Sequence, residues 1–532
     1  MKDHRSSPTG HRHHVVSTAI VMASTLVSRL LGFLRIAVIG AVFGASGQAD
    51  VLNLVFNIPN NLRKLLAEGA LSSAFLPVLT RTHLEDGSGA SSQKIVRQLL
   101  GLQFALLIPL LLLATIFAQP IVDTILAFPE PERQLLAADL FRFLIHYVLL
   151  VSIAAVLMGT LNSHQSFLVP ALAPLLFSFA VIGAVLLFHS RWGVFSMVFG
   201  VLLGGCGQLL LQIYPVKRRG YSLRPLFSFG DPRFSRILRH WIPVVTTASV
   251  FAVDQQVSLF FASGLADGSG SAMTNALVFW QLPFGIFGAS ITTVLFPLMS
   301  RQVAQGDISA AGKTVFGGLR ALALLLIPAG VGLALLGRPL IAVALQRGAF
   351  SASATHLAAR VLVGYSLGLF SVGAFTFLQR FFYALGEYRV PLFVAGATMA
   401  VDIFLCLLLK ETVLAVTGLA VANSIAFTFG LVLLVLALRS HIEISPLVDL
   451  GIAIFKALLA SSVAAGTVLT VRWILHLQGL GEWWIEGSSL FALALLCAEA
   501  LPALAALVLT YRVLGISVLS LLRRNSSAVM EA

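Results

Sequence analysis

The stretch DVLNLVFNIPNNLRKLLAEG, residues 50–69, decides how this chain folds. It is apolar enough for a membrane-spanning helix, yet Asp50, Arg63, Lys64 and Glu68 lie in it. One charged side chain at the centre of a bilayer costs about 2.5–3.5 kcal/mol on insertion scales. A spanning helix therefore carries several only if they face water or each other rather than lipid. At about 100° per residue, Asp50, Asn53, Asn57, Asn60, Lys64 and Glu68 fall within an arc of about 80°, in a stripe about 27 Å long. Arg63 stands at its edge. The alternative is a set of helix-end charges reaching out to the headgroups. That fits Arg63 and Lys64 poorly, because apolar sequence continues on both sides of them. The preceding stretch, SRLLGFLR (28–35), extends the pattern. On a helix, Ser17, Ser24, Ser28 and Arg35 share one face, and Thr18, Thr25 and Arg29 share the adjoining one. Two successive helices thus offer polar, mainly cationic faces to a wet cavity.

The 532 residues are 58% hydrophobic and only 11% charged, too little charge for a soluble surface. The apolar runs are about 20 residues long and do not alternate, which predicts helices rather than barrel strands. The expected fold class is an all-α polytopic membrane protein with fourteen transmembrane helices. The expected spans are 16–43, 50–82, 95–117, 136–160, 167–189, 192–215, 237–264, 272–300, 314–337, 356–385, 391–410, 413–438, 447–476 and 487–516. Residues 1–15 and 517–532 form short tails. His4, His11, His13 and His14 fall in the first, which is expected to be a disordered tail rather than a metal site. The first apolar run is too long for a cleavable signal. Cys206, Cys406 and Cys497 all sit in apolar runs, with no disulfide or zinc spacing.

Lys and Arg concentrate on alternate loops, most densely in Lys217, Arg218, Arg219, Arg224, Arg233, Arg236 and Arg239. That bias places both termini in the cytoplasm. The cluster lies between two spans, so anionic headgroups rather than nucleic acid are its expected neighbours.

The chain also repeats itself. LLIP at 106–109 recurs at 325–328, Pro120 is matched by Pro339, and Tyr147 by Tyr365. Pro59, Pro77 and Pro170 pair with Pro283, Pro297 and Pro391. The expected organisation is two six-helix lobes in parallel topology, 16–216 and 237–438, joined by a basic cytoplasmic linker at 217–236. A substrate site is then expected near the midplane, around a central cavity. The last two helices, 447–516, stand outside the repeat. Where the first half has Arg63, Lys64 and Glu68, the second has FGIFG at 284–288.

SRLLGFLR (28–35), Asp50 and PNNLRKLLAEGALSSAFLPVL (59–79) resemble the MurJ/MviN family, the lipid II flippases of bacterial cell-wall synthesis. VPALAP (169–174), GRPLIAVALQRGAFS (337–351), YSLGL (365–369) and FYALGEYRVP (382–391) are similar to further landmarks of that family. The resemblance covers nearly the whole chain. It implies two lobes around a V-shaped cationic cavity, with an extra helix pair whose apolar groove takes the polyprenyl tail. It also implies transport, without enzymatic chemistry, of an undecaprenyl-pyrophosphate-linked disaccharide-pentapeptide across the bacterial inner membrane. Essential arginines of the family map onto Arg29, Arg35 and Arg63, and Asp50, Lys64 and Glu68 match other charged positions. One departure is plain. Val278 and Gln281 stand where relatives commonly carry an arginine and an acid.

Arginine suits a pyrophosphate, since its planar fork matches phosphate oxygens and stays charged. Arg29, Arg35, Arg63 and Lys64 are therefore the expected anion-binding residues. Asn57, Asn60 and Asn61 are expected to contact sugar or peptide. Asp50 and Glu68 either orient the cations or act as simple counterions. Asp254 and Asp402 are further carboxylates within spans, and Thr398 lies one turn before Asp402. In some family members similar residues of the seventh, eleventh and twelfth helices hold sodium. Asp254, Thr398, Asp402 and Thr417 resemble that set, a proton or hydrogen-bonded carboxylate being the alternative. No other cofactor is expected. The expected partners are lipid II, membrane lipids and the cell-wall synthesis machinery, with the chain a monomer.

Gly204-Gly205-Cys206-Gly207 lies inside an apolar span, where close helix packing is expected rather than a phosphate loop. Two other functions compete. One is an exporter of another lipid-linked oligosaccharide or of a drug on the same fold. The other is a non-transporting scaffold, which would have no need of the intramembrane charge stripe.

Overall fold

The computed structural model describes residues 27–66, 75, 78–82, 89–442, 447–479 and 489–516. All regular structure among them is helical. The chain divides into two compact units, Met1–Ala252 and Val253–Ala532.

The first unit holds α1 (27–43), α2 (Gln48–Leu66), α3 (Ala90–Ile116), α4 (Ala118–Ile125), α5 (Pro131–Leu144), α6 (Tyr147–Ser163), α7 (Leu168–Trp192), α8 (Phe195–Arg218) and the start of α9 (Pro232–Ser263). Gly44 and Gly47 take φ of 78° and 60°, the left-handed backbone that turns α1 into α2. α7 and α8 approach closely because Gly200 and Gly204 leave room. A Cβ on Gly200 would stand 2.8 Å from the Val181 Cα, and one on Gly204 3.0 Å from the Phe177 Cα. This is small-xxx-small packing, the arrangement that brings helix backbones together in membranes. Gly205 faces the ring of Tyr147 in the same way.

Residues 219–231 are not helical beyond the last turn of α8, and they strap across the start of α3. Arg97 Nε donates to the Arg224 carbonyl at 2.9 Å, and Leu226 N donates to the Arg97 carbonyl at 2.9 Å. Lys94 pairs with Asp231 at 2.9 Å and holds that carboxyl below the usual carboxylate range. Tyr221 joins Ile95, Leu99, Leu157, Phe234 and Ile237 in the buried core beneath the strap.

The second unit holds the end of α9, α10 (Ser269–Pro283), a π-helical segment Phe284–Gly288, α11 (Ala289–Ala304), α12 (Ile308–Leu345), α13 (Ala352–Leu367), α14 (Leu369–Ala384), α15 (Arg389–Leu409), α16 (Val416–Leu438), α17 (Leu447–Leu477) and α18 (Ser489–Val513). Two of these starts are capped by side chains. Asp307 accepts from Ala310 N and Ser351 from Ala354 N, each satisfying an orphan donor of the first turn. α12 is the central rod, touching α13, α14, α17 and α18.

Helix starts recur. α2, α5, α7 and α8 begin at Gln48, Pro131, Leu168 and Phe195, while α10, α13, α15 and α16 begin at Ser269, Ala352, Arg389 and Val416, each 221 residues later. In this register Asn57, Asn60 and Arg63 correspond to Val278, Gln281 and Phe284.

Ten helices among the described residues are long and apolar enough to cross a membrane, or eleven with α13 and α14 taken as one span bent by 47°. Their outer faces carry exposed leucines such as Leu106, Leu110, Leu112 and Leu113 on α3, as a lipid-facing helix requires. Three expected spans are not among them. Of the first, expected at 16–43, only residues 27–43 are described; α2 carries Asp50, Arg63 and Lys64, and α9 is interrupted by Asp254, Gln255 and Gln256.

The α7–α8 seam gives a direct test. Gly204→Val forces backbone apart and should destabilise by about 1–3 kcal/mol. Gly207→Ala, with open space around its Cβ position, should leave the melting temperature of the detergent-purified protein unchanged or raised.

Candidate functional site

A cavity of about 360 Å³ opens within the first unit. α1 supplies Ser28, Gly32 and Arg35, and α2 supplies Phe56, Asn60 and Arg63. α6, α7 and α8 close it with Tyr147, Phe177, Ser178, Gln208 and Gln212 among others. The Arg35 guanidinium lies over the Phe177 ring, 5.0 Å from its centroid, in cation–π geometry. Arg63 donates from Nε and Nη2 to Asn60 Oδ1 at 3.2 and 3.1 Å, so Asn60 fixes the orientation of its fork. Two guanidinium groups thus share one cavity of mixed polar and apolar lining.

The other expected site residues are placed differently. Arg29 is exposed on α1 and is not among the cavity-lining residues. Asn57 Nδ2 donates to the Asn53 carbonyl at 2.8 Å, within its own helix. Asp50 is buried in the first turn of α2, about 20 Å along the helix from Arg63. Lys64 belongs to α2, but its side chain lies outside the described set, as does Glu68. Tyr147, Ser178, Gln208 and Gln212 were not expected in the site. The signal for two of them was present, since Gln208 and Gln212 are polar residues one turn apart in an otherwise apolar span.

A second polar cluster lies within the second unit. The Asp254 and Asp402 side chains are in hydrogen-bond contact, and both are buried. Ser258, one turn after Asp254, donates to the Asp254 carbonyl at 3.2 Å and to Asp402 Oδ2 at 3.5 Å. Oδ1 of each aspartate has no hydrogen-bond partner among the described residues. Two touching carboxylates cannot both stay charged in an apolar interior unless a proton or a cation lies between them. Their bare oxygens fit a hard cation, which prefers such ligands. Thr398 sits one turn from Asp402, with its hydroxyl bonded to the Val394 carbonyl at 2.8 Å. Thr417 is further away. Gly418 packs on Leu409, so this end of α16 lies about 10 Å along α15 from Asp402.

Within the same unit, α12, α17 and α18 enclose an apolar groove of about 470 Å³, lined by Leu324, Pro328, Leu335, Val468, Leu504 and Tyr511 among others. At one end the Tyr511 hydroxyl donates to the Leu324 carbonyl at 2.7 Å. At the other, Arg472 grips both oxygens of buried Glu499 at 3.0 and 2.6 Å and donates to the Leu335 carbonyl at 3.0 Å.

The family model described as lipid II flippase MurJ matches residues 39–494. This chain belongs to the MurJ family. It is a family of transporters, not of enzymes. A protein of Borreliella burgdorferi described as "Probable lipid II flippase MurJ" is 31% identical over 505 residues, covering 95% of this chain and 97% of that one. The "Lipid II flippase MurJ" of Burkholderia cenocepacia is 29% identical over 389 residues, covering 72% of this chain and 75% of its own. Among solved structures, "Lipid II flippase MurJ, inward closed conformation" shares the fold with a TM-score of 0.75 at 23% identity, covering 93% of this chain and 99% of that one. An inward-facing multidrug resistance MATE family transporter of the MOP superfamily follows with a TM-score of 0.65 at 16% identity, covering 78% and 94%. The MurJ chain described here is therefore a multi-pass membrane protein of transporter fold.

The two ion pairs of α17 should respond unequally to substitution. Glu499→Gln leaves Arg472 without its charge partner at a buried position. Asp449→Asn breaks an exposed pair with Arg320. The first should lower the melting temperature by several degrees and the second by no measurable amount.

Proposed function

We propose that this MurJ protein moves lipid II from the inner to the outer leaflet of the bacterial cytoplasmic membrane. The observation that carries this reading is the cavity into which Arg35 and Arg63 both open. A pyrophosphate sheds water only at a large penalty in hydrocarbon, and two preoriented guanidinium groups replace its hydration with charge-assisted hydrogen bonds. Arg35 and Arg63 bind the pyrophosphate, Asn60 holds the Arg63 fork, and Arg29 and Lys64 extend the cationic path. Asn57 contacts the headgroup as the helices move, and Asp50 and Glu68 limit repulsion among the cations. The polyprenyl tail lies in the groove of α12, α17 and α18.

The reading includes fourteen crossings, made up of the eleven apolar spans and the three charged ones. Both termini are cytoplasmic. The lobes 16–216 and 237–438 rock about a central cavity in alternating access, linked through 217–236. Residues 447–516 add the tail groove. The protein works as a monomer beside the cell-wall synthesis machinery. Asp254, Asp402 and Ser258, with Thr398 one turn from Asp402, would hold sodium, and Thr417 stands apart from this set. The ion would supply the positive charge that lets both carboxylates stay ionised, so its binding favours whichever conformation keeps them together.

Two measurements test this. In cells depleted of their own flippase, the protein should restore lipid II accessible at the outer face. Arg35→Ala and Arg63→Ala should each lower that exposure at least tenfold at equal expression. Unchanged exposure with both variants would sink the proposed site. For the ion, the purified protein should melt higher in sodium than in choline, and Asp402→Asn should abolish the difference. An equal response in Asp402→Asn would remove the carboxylates from the ion site.

A further inference from the structure

The cationic wall of the first cavity explains only part of its chemistry. α8 contributes Gln208 and Gln212 to the lining that also holds Arg35 and Arg63. Gln212 is 2% exposed, and its Nε2 donates to the Gln208 carbonyl at 3.2 Å. Its Oε1 is an acceptor with no donor among the described residues. A buried acceptor left bare is unfavourable, and native structures seldom keep one without a reason. Phosphate oxygens cannot relieve it, since an ionised phosphate offers no proton. A neutral N–H or O–H can.

We infer that Gln212, supported by Gln208, forms a subsite for the acetamido N–H or a hydroxyl of the sugar joined to the pyrophosphate. This rests on the pyrophosphate reading of Arg35 and Arg63 and deepens it. The cavity then recognises a junction: an anion at one part of its lining and a neutral donor at another. A site built to hydrogen-bond a substrate group discriminates strongly against an analogue lacking it, because the protein's own polar atom is left bare.

The test uses the full-length protein in detergent and two ligands, undecaprenyl pyrophosphate with and without its first N-acetylated sugar, with binding read by native mass spectrometry. The wild type should prefer the sugar-bearing ligand. Gln212→Met, close in shape, should weaken that ligand about tenfold, on the scale of one lost hydrogen bond, and leave the bare pyrophosphate unchanged. Gln212→Glu keeps an acceptor but adds charge, so it should weaken both ligands. Arg63→Ala should also weaken both. If Gln212→Met lowers both ligands equally, or neither, the subsite is overturned while the pyrophosphate site stands. If the wild type binds neither ligand, the pyrophosphate reading falls and the subsite with it.

Discussion

The constraint that governs this molecule is the placement of guanidinium charge in helices of an otherwise apolar membrane protein. Arg35 and Arg63 are tolerable only because each is given something that lipid cannot supply. Arg35 rests on the π-face of Phe177, and Arg63 is held by the amide of Asn60. Both open into the same cavity. Everything local follows from supplying those conditions. α7 must come close enough to present Phe177, and it does so because Gly204 lets the α8 backbone lie against it. The glycine seam is thus part of the charge problem, one helix removed from the charges themselves.

The repeat shows how one backbone plan carries opposite chemistry. With the 221-residue register, Arg63 corresponds to Phe284 at the start of the π-helical segment, and Arg35 corresponds to Gln256. In the other direction, Asp254, Thr398 and Asp402 correspond to Phe33, Phe177 and Val181. The cations are confined to the first half and the paired carboxylates to the second. Position 177, where the first half places the ring under Arg35, is where the second places a threonine one turn from a carboxylate. The π-helical turn is itself a common device at functional positions, and here it falls where the first half has its cavity arginine.

Legibility in the sequence followed the physics of each feature. Helix existence was plain because apolar runs of spanning length have few alternatives. Two of the spans missing from the apolar set were legible for the opposite reason, since α2 and α9 are where Arg63 and Asp254 interrupt the pattern. Helical spacing placed Asn60 and Arg63 near each other, but it could not place Phe177 under Arg35, because that contact depends on how α7 packs. Gln208 and Gln212 were visible as polar residues in an apolar span, yet nothing local says they face the arginines. Ser258 and the Arg472–Glu499 pair were hidden for the same reason. Thr417 illustrates the converse. Its hydroxyl suits a cation, but the antiparallel register of α15 and α16 sets it beside the end of α15 rather than level with Asp402.

The carboxylate pair differs in kind from the other bare acceptors. Gln212 Oε1 lacks a hydrogen-bond donor among the described residues, and so does Oδ1 of Asp254 and of Asp402, but the aspartates are acids whose bare oxygens can also take up a charge. A donor from a neutral sugar can satisfy the first without altering the charge of the protein. The second changes net charge when it is satisfied, by a proton or by a cation, and so it couples to membrane potential and to ion concentration. On the proposed reading, substrate recognition and ion binding would fall in different halves of a repeated fold. Arg35 and Arg63 are fixed charges that would meet an anion without a partner ion. A compensating charge at the carboxylates would be one that can arrive and leave, the property a driven conformational cycle would draw on.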